Sequence, residues 1–178
     1  EPLEELRGLM TAHYPPYFYT PKIMRRSYGA FYERSIAALF DRLVREDRPD
    51  VVYATWAFPD CFAAALLAGR YDIPFVARVH GSDINEYMKH AVRKRRILEA
   101  MQWAKEVVSV SAALRKRLVA EGVDAGKVHV IYNGIDRVVF RPYDRSAARR
   151  ELRLDESKRI VLFAGNFEPV KGIDLLIE

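Results

Sequence analysis

The sequence contains a single cysteine, Cys61, among 178 residues. An internal disulfide framework and a cysteine-based metal site are therefore excluded, and we expect a reducing compartment. The four histidines (His13, His80, His90 and His129) show neither of the spacings, HxxxH or HxH, that bring two imidazoles to one metal ion. We therefore expect no bound metal.

Long apolar runs are absent as well. No stretch approaches the roughly 20 apolar residues that a membrane-spanning helix needs, and the first residues do not resemble a secretory signal peptide. We therefore expect a cytoplasmic protein. Half of the residues are hydrophobic and 30% are charged, a balance typical of globular proteins, and 178 residues suit one ordinary domain.

Positive charge is in excess. The formal net charge is +5, and the isoelectric point is about 9.3. A basic surface is suited to nucleic acid, to anionic lipid headgroups or to phosphorylated substrates, and it also occurs where charges are merely solvated. Because no nucleic-acid-binding motif accompanies the charge, we expect no nucleic-acid partner.

The most informative stretch is FVARVHGSD, at residues 75–83. Its alternating apolar residues predict a buried strand that ends at His80. Gly81 allows a tight exit from the strand and the close approach of a ligand, while Ser82 and Asp83 are predicted to cap a following helix. Open α/β sheets bind ligands at the carboxyl ends of their strands, so these four residues are candidate site residues. The alternative is that they only cap and close the strand end.

Strands and helices alternate on both sides of this segment. We predict a long amphipathic helix with Thr20 as its N-cap and Pro21 as its first helical residue; its apolar periodicity begins at Met24 and runs to about Glu46. The other predicted strands are residues 51–56, 107–110 and 127–132, and the other predicted helices are residues 61–70, 92–104 and 112–122. Crossovers of this length favour parallel pairing, so the sequence predicts an α/β fold with a doubly wound, Rossmann-like parallel sheet.

The pattern changes after Asn133. We predict a short helix at residues 147–154, a strand at 159–165 and the first turns of a helix from Ile173. A lone strand with part of a helix cannot bury its apolar face. We therefore expect residues 1–140 to form part of one domain and residues 141–178 to open a second one, with the fold incomplete at both ends.

Several motifs resemble those of glycosyltransferase family 4, whose members are retaining enzymes of the GT-B fold. The motifs are TWAFPDCFAAALLA at residues 55–68, HGSDIN at 80–85, VSVSAALRKRL at 108–118, KVHVIYNGID at 127–136 and FAGNFEPVKGIDLLIE at 163–178. They occur in the order and at the spacing seen in the family. The resemblance implies most of an acceptor-side domain followed by the opening of a donor-side domain.

The resemblance also implies an activity, namely transfer of a sugar from a nucleotide-sugar donor to an acceptor hydroxyl with retention of configuration and without a metal cofactor. In the family, a glycine-rich turn and a lysine hold the diphosphate of the donor, and here these are Gly165 and Lys171. Asn166 stands where the family usually has arginine, so one cation of this set is missing. The plain alternative for Lys171 is a solvated lysine near a helix start.

His80 is implied as the catalytic residue, which faces the donor sugar. The other residues implied to line the cleft are Gly81, Ser82, Asp83, Ser111, Asn133 and Gly134, although Ser111 is also explained as a helix N-cap. Trp56 and Asp60 follow the preceding strand and suit a sugar or lipid-linked acceptor, with core packing as the alternative for Trp56.

The acceptor is expected to be a glycan, a lipid-linked or a phosphorylated molecule. The basic run from Lys89 to Arg96, with Arg25, Arg26 and Arg115 to Arg117 elsewhere, resembles surfaces that contact anionic membranes or phosphorylated acceptors, although a solvated helix face also explains it. Two other functions stay open: a sugar-nucleotide epimerase or phosphorylase of the same fold, and a non-catalytic Rossmann-like binding module. We expect the 178 residues alone to be inactive.

Overall fold

The computed structural model describes residues 10–20, 23–24 and 27–177. The chain divides into a first compact unit that ends at Asn133 and a second unit that begins at Gly134. The domain boundary predicted from the sequence, between residues 140 and 141, stays a prediction. Pro21, Arg25 and Arg26 lie outside the described residues.

The first unit contains a four-stranded parallel sheet with the order β1-β2-β3-β4. The strands are β1 (Val52–Thr55), β2 (Phe75–Val79), β3 (Glu106–Ser109) and β4 (Val128–Val130), and the helices are α1 (Tyr28–Glu46), α2 (Phe62–Arg70), α3 (Ser82–Asn85), α4 (Ala91–Trp103) and α5 (Ala112–Ala120). The predicted parallel α/β fold is confirmed. Its described strands follow chain order, and right-handed crossovers then place the connecting helices on one face of the sheet.

The core lies on that face of the sheet. Phe75, Ala77 and Val79 of β2 are each at most 4% exposed, whereas the intervening Val76 and Arg78 are only partly buried. This alternation is the period of two that a strand imposes on its side chains. The carboxyl ends of all four strands therefore meet at one edge above a packed core.

Helix α1 begins later than predicted. Its first helical residue is Tyr28, and the Thr20 hydroxyl donates a hydrogen bond to the carbonyl of Ile23 at 2.7 Å instead of capping the helix. The prediction that Thr20 is the N-cap was therefore wrong, because its hydroxyl forms a hydrogen bond within a local turn that precedes the helix. Glu33 of α1 is buried and forms an ion pair with Arg70, which fixes α1 against α2.

Cys61 is fully buried at the start of α2, and its thiol lies 3.4 Å from the carbonyl oxygen of Ala54. Burial raises the pKa of the thiol to about 12. The thiol is therefore protonated at neutral pH and is neither a nucleophile nor a metal ligand.

The contact of α1 with α2 depends on a glycine. A Cβ atom at Gly29 would lie 2.6 Å from Cδ1 of Phe62 and 3.0 Å from Cε2 of Phe58. We expect Gly29→Ala to lower the free energy of unfolding by about 1–3 kcal/mol through overpacking, measured by urea denaturation.

A matched control is Gly69→Ala, because Gly69 is also helical but a Cβ atom there meets nothing within 4 Å. This change is expected to raise stability by about 0.5–1 kcal/mol, since alanine has the higher helix propensity. Equal effects of the two substitutions would contradict the packing described for Gly29.

The second unit has little regular structure. It contains α6 (Arg145–Glu151), a single 3₁₀ turn (Pro169–Lys171) and α7 (Ile173–Ile177). The predicted strand at residues 159–165 is wrong, because the described part of this unit offers no second strand to pair with it. Instead, the guanidinium of Arg149 donates hydrogen bonds to the carbonyls of residues 155, 156 and 158, at 2.5–3.0 Å.

Among the described residues, no helix is both long enough and apolar enough to cross a membrane.

Candidate functional site

The loops that follow β1 and β2 are joined by one buried carboxylate. Asp83 is 0% exposed, and its carboxylate accepts hydrogen bonds from the backbone N–H groups of Ala57 at 3.0 Å, His80 at 3.0 Å and Gly81 at 2.7 Å. A carboxylate that accepts several backbone hydrogen bonds is held in one orientation. Asp83 therefore fixes the backbone of both loops at the edge where a ligand is expected.

This arrangement corrects the prediction that Ser82 and Asp83 are helix caps. The two residues lie inside the four-residue helix α3, and Gly81 precedes it with a φ of 144°, a value that suits glycine. Ser82 makes no cap hydrogen bond there. The carboxylate turns back to the loop amides because these would otherwise be buried without a partner.

His80 lies at the open end of this arrangement. Its side chain is exposed, and its ring stacks on the indole of Trp56, with the ring centroids 6.2 Å apart and the planes inclined by 30°. Tyr87 contacts the same indole edge-on at 6.1 Å, and the guanidinium carbon of Arg93 lies 4.7 Å from the Tyr87 ring centroid. No described residue forms a hydrogen bond with the imidazole, so both ring nitrogens are available to a ligand.

Trp56 has an unusual backbone conformation, with a φ of 78°. Positive φ values are rare for non-glycine residues and carry strain of the order of 1–3 kcal/mol, which is common at functional sites. The N–H of Trp56 donates to the carbonyl of Arg78 at 3.0 Å, which ties the end of β1 to β2. The indole is therefore positioned by the sheet itself.

A cavity of about 390 Å³ opens beside Trp56. It is lined by His13, Tyr14, Pro15, Tyr17, Tyr32, Ile36, Trp56, Pro59 and Asp60. Burial raises the pKa of the Asp60 carboxyl, while its hydrogen bond with the Tyr32 hydroxyl acts in the opposite direction. Burial and the nearby Asp60 raise the pKa of Tyr32, so the phenol stays protonated at neutral pH. Aromatic walls with one carboxylate are chemically suited to a polyol or sugar.

The Asp60 carboxyl makes stability depend on pH. Its folded pKa lies above the ordinary value of 3.8, so its contribution to stability is present below pH 3.8 and is lost as pH rises through the folded pKa. Asp60→Asn, which cannot ionise, is expected to be more stable than the parent protein at neutral pH, and the difference should vanish in acid. Urea denaturation over a pH series measures this.

The control for this prediction is Asp50→Asn, which changes an exposed carboxylate. A neutral-pH stability of Asp60→Asn equal to or below that of the parent protein would show that the buried charge carries no such penalty.

The other residues predicted to line the cleft have different roles. Ser111 caps α5 by accepting from the N–H of Leu114 at 3.3 Å, which supports the N-cap alternative. Asn133 accepts a hydrogen bond from Nη2 of Arg78 at 2.6 Å, so it lies at the site edge of the first unit. Gly134 is exposed and begins the second unit.

The predicted donor-binding residues all lie in the second unit. Gly165 and Asn166 are exposed, and a Cβ atom at Gly165 would lie 3.1 Å from Cζ of Phe163. Lys171 is exposed at the end of the 3₁₀ turn, before Gly172 with a φ of 64°. Their role in holding a diphosphate stays a prediction.

Much of the predicted basic surface is neutralised internally. Lys89 pairs with Glu86 at 2.7 Å, Lys94 pairs with Glu121 at 2.5 Å, and Arg95 and Arg96 pair with Glu99 at 3.4 and 2.9 Å. These pairs favour the solvated-face alternative over a free cationic surface for this run.

Three residues near the site were not identified from the sequence: Tyr32, Arg78 and Tyr87. Tyr32 and Tyr87 reach the site only through tertiary contacts, which no local pattern reports. Arg78 could have been recognised from the sequence, since it is the one charged residue inside the apolar strand FVARV. A charge within a buried strand requires a partner and is worth examining as a site residue.

Solved structures that superpose on the chain define its fold class. The chain superposes on Anabaena HepE in complex with UDP with a TM-score of 0.55, at 20% identity, over 67% of this chain and 32% of HepE. HepE in complex with UDP-glucose gives a TM-score of 0.50 at 22% identity. This likeness establishes a fold of the GT-B class.

The sequence comparisons then identify the family. The profile described as Glycosyltransferase Family 4 matches residues 2–138, and the chain belongs to that family. A D-inositol 3-phosphate glycosyltransferase of Nocardioides sp. is 31% identical over 125 residues, which is 64% of this chain and 27% of that protein. The enzyme of the same name from Segniliparus rotundus is 46% identical over 54 residues, or 30% of this chain and 12% of that protein. The chain thus spans about a quarter or less of these relatives.

Proposed function

We propose that the chain forms the acceptor-side part of a retaining glycosyltransferase, which moves a sugar from a nucleotide-sugar donor to an acceptor hydroxyl. The observation that carries this proposal is the placement of His80. Its exposed imidazole, free of hydrogen bonds to the described residues, stacks on Trp56 at the carboxyl edge of a family 4 parallel sheet. This edge is where open α/β sheets bind ligands.

In this proposal, His80 hydrogen-bonds the donor sugar or the charge that develops on it during transfer. Asp83 does not contact the substrates, but it holds the amides of His80 and Gly81 and so fixes the imidazole before the reaction. Pre-placed groups of this kind lower a barrier because they need no reorganisation in the transition state.

The aromatic cavity beside Trp56 is proposed to bind the acceptor. The indole packs against the face of a sugar or polyol ring, and the Asp60 carboxylate accepts a hydrogen bond from one of its hydroxyls. The acceptor is proposed to be a glycan, a lipid-linked or a phosphorylated molecule. Trp56 connects the two parts of this proposal, because its indole lines the cavity and also stacks on the His80 ring.

Gly165, Asn166 and Lys171 are proposed to contact the diphosphate of the donor. With asparagine in the usual arginine position, Lys171 supplies the positive charge, and no bound metal is needed. The protein is also proposed to be cytoplasmic, either free or in peripheral contact with a membrane. HepE binds UDP and UDP-glucose in its solved complexes, and this supports a uridine-based donor as the first candidate.

The test is calorimetric titration with uridine, guanosine and adenosine diphosphate sugars, using a protein that joins this chain to a complete donor-binding domain. We expect selective binding of one donor and at least a tenfold loss of affinity with Lys171→Ala. An unaltered affinity in Lys171→Ala would remove this residue from the donor site. Absence of binding to every donor, in a folded protein, would favour the non-catalytic module.

A further inference from the structure

Two aromatic contacts orient the indole of Trp56. The ring stacks on His80, and Tyr87 contacts it edge-on with the ring centroids 6.1 Å apart. The hydrogen bond from the N–H of Trp56 to the carbonyl of Arg78 fixes only the backbone. Since no described residue forms a hydrogen bond with the indole, packing sets the rotamer of this side chain.

Tyr87 is anchored to the hydrophobic core. It belongs to a 3₁₀ turn (Tyr87–Lys89) that follows α3, and the next residue, Met88, is 4% exposed. Tyr87 itself is partly buried and packs against core residues. Its hydroxyl forms no hydrogen bond with a described residue, so the contact with Trp56 is made by the ring alone. The phenyl ring is therefore a fixed support for the indole, unlike the exposed ring of His80.

A cation lies over the Tyr87 ring. The guanidinium carbon of Arg93, in the first turn of α4, is 4.7 Å from the ring centroid. Arg93 pairs with no carboxylate of the described residues, whereas the three cations that follow it in α4 each do. The negative face of an aromatic ring attracts a cation at this distance. Arg93 therefore ties α4 to the aromatic cluster through the ring of Tyr87.

We propose that Tyr87 and Arg93 are positioning residues of the transfer reaction. Arg93 holds the ring of Tyr87, and Tyr87 holds the indole of Trp56. The indole in turn holds the imidazole of His80, and neither positioning residue touches the substrates. This inference rests on the proposed function, which gives the orientation of the imidazole its role. Support of this kind matters because a displacement of about 1 Å at a reacting centre can slow a reaction about 100-fold.

The first measurement reads the arrangement of the rings without any substrate. The ring current of the indole shifts the ring proton signals of His80, and ¹H–¹³C NMR of a protein that joins this chain to a complete donor-binding domain records them. Tyr87→Leu is expected to move these signals toward the values of a free histidine, because the indole loses its support. Tyr87→Phe keeps the ring and is expected to leave the signals in place.

The second measurement is kinetic and uses the same joined protein. Tyr87→Leu is expected to lower kcat about tenfold, because the imidazole is displaced, while Tyr87→Phe should stay within about twofold of the parent value. A purely structural role of Tyr87 would lower the stability of Tyr87→Leu but would leave the kcat of the folded protein unchanged.

A second variant keeps the inference testable if Tyr87→Leu fails to fold. Arg93→Gln removes the cation and is expected to move the His80 signals in the same direction and to lower kcat about threefold. The matched control is Arg96→Gln, because Arg96 lies in the same helix with its guanidinium carbon 4.9 Å from the centroid of another ring, that of Phe62. This control is expected to change neither the His80 signals nor kcat.

Unchanged His80 signals or an unchanged kcat in Tyr87→Leu would overturn the inference, and so would equal effects of Arg93→Gln and Arg96→Gln. A loss in Tyr87→Phe as large as that in Tyr87→Leu would also overturn it, because the hydroxyl would then be the acting group. The NMR measurement contains no nucleotide sugar. Shifted signals in a Tyr87→Leu protein whose parent transfers no sugar would therefore leave the support of His80 standing and remove only the glycosyltransferase proposal.

Discussion

Asp83→Ala is expected to lower the free energy of unfolding by about 3 kcal/mol. The substitution leaves the N–H groups of Ala57, His80 and Gly81 without their carboxylate acceptor in a buried place. Each unsatisfied buried donor costs about 1–3 kcal/mol, and partial relaxation with water entry reduces the sum. Urea denaturation of the parent and variant proteins measures the difference.

The adjacent Ser82 provides the matched control, since it is exposed and makes no cap hydrogen bond. Ser82→Ala is expected to change stability by less than about 0.5 kcal/mol. If Asp83→Ala were as mild as Ser82→Ala, Asp83 would not be the group that joins the two loops.

The second large effect is on catalysis. In a protein that joins this chain to a complete donor-binding domain, His80→Ala is expected to reduce kcat by at least about 100-fold, because it removes the group proposed to stabilise charge on the donor sugar. The exposed side chain has few packing contacts, so the fold should be retained. Initial rates of nucleotide release in the presence of acceptor measure the loss.

His90→Ala is the control, because His90 is another exposed histidine and lies just before α4. Its kcat is expected to stay within about twofold of the parent value. An equal loss in both variants would point to general damage, and full activity of His80→Ala would exclude His80 from the reaction.

The regular framework could be predicted because local patterns determine it. The four strands were placed within one or two residues of their observed ends, as with β2 at Phe75–Val79, where alternation and the preceding Ile73-Pro74 turn agree. The Ser111 cap follows from the same local chemistry. The parallel pairing of the strands then follows from the lengths of the crossovers.

The site was predicted less completely because tertiary contacts decide it. Asp83 has the sequence context of a helix cap, yet its carboxylate bonds to Ala57 in another loop. Tyr32 and Asp60 line the same cavity although they are far apart in the chain. The predicted strand at 159–165 required a partner strand, which the apolar pattern alone does not supply.

The most direct test of the account is the stereochemistry of transfer. The joined protein is incubated with an α-linked nucleotide sugar and an acceptor, and the anomeric proton coupling of the first product is read by ¹H NMR. We expect an α-linked product, formed in the parent protein and lost in His80→Ala. A β-linked product would contradict retaining chemistry. Transfer that continues unchanged without His80 would contradict the proposed role of His80 at this site.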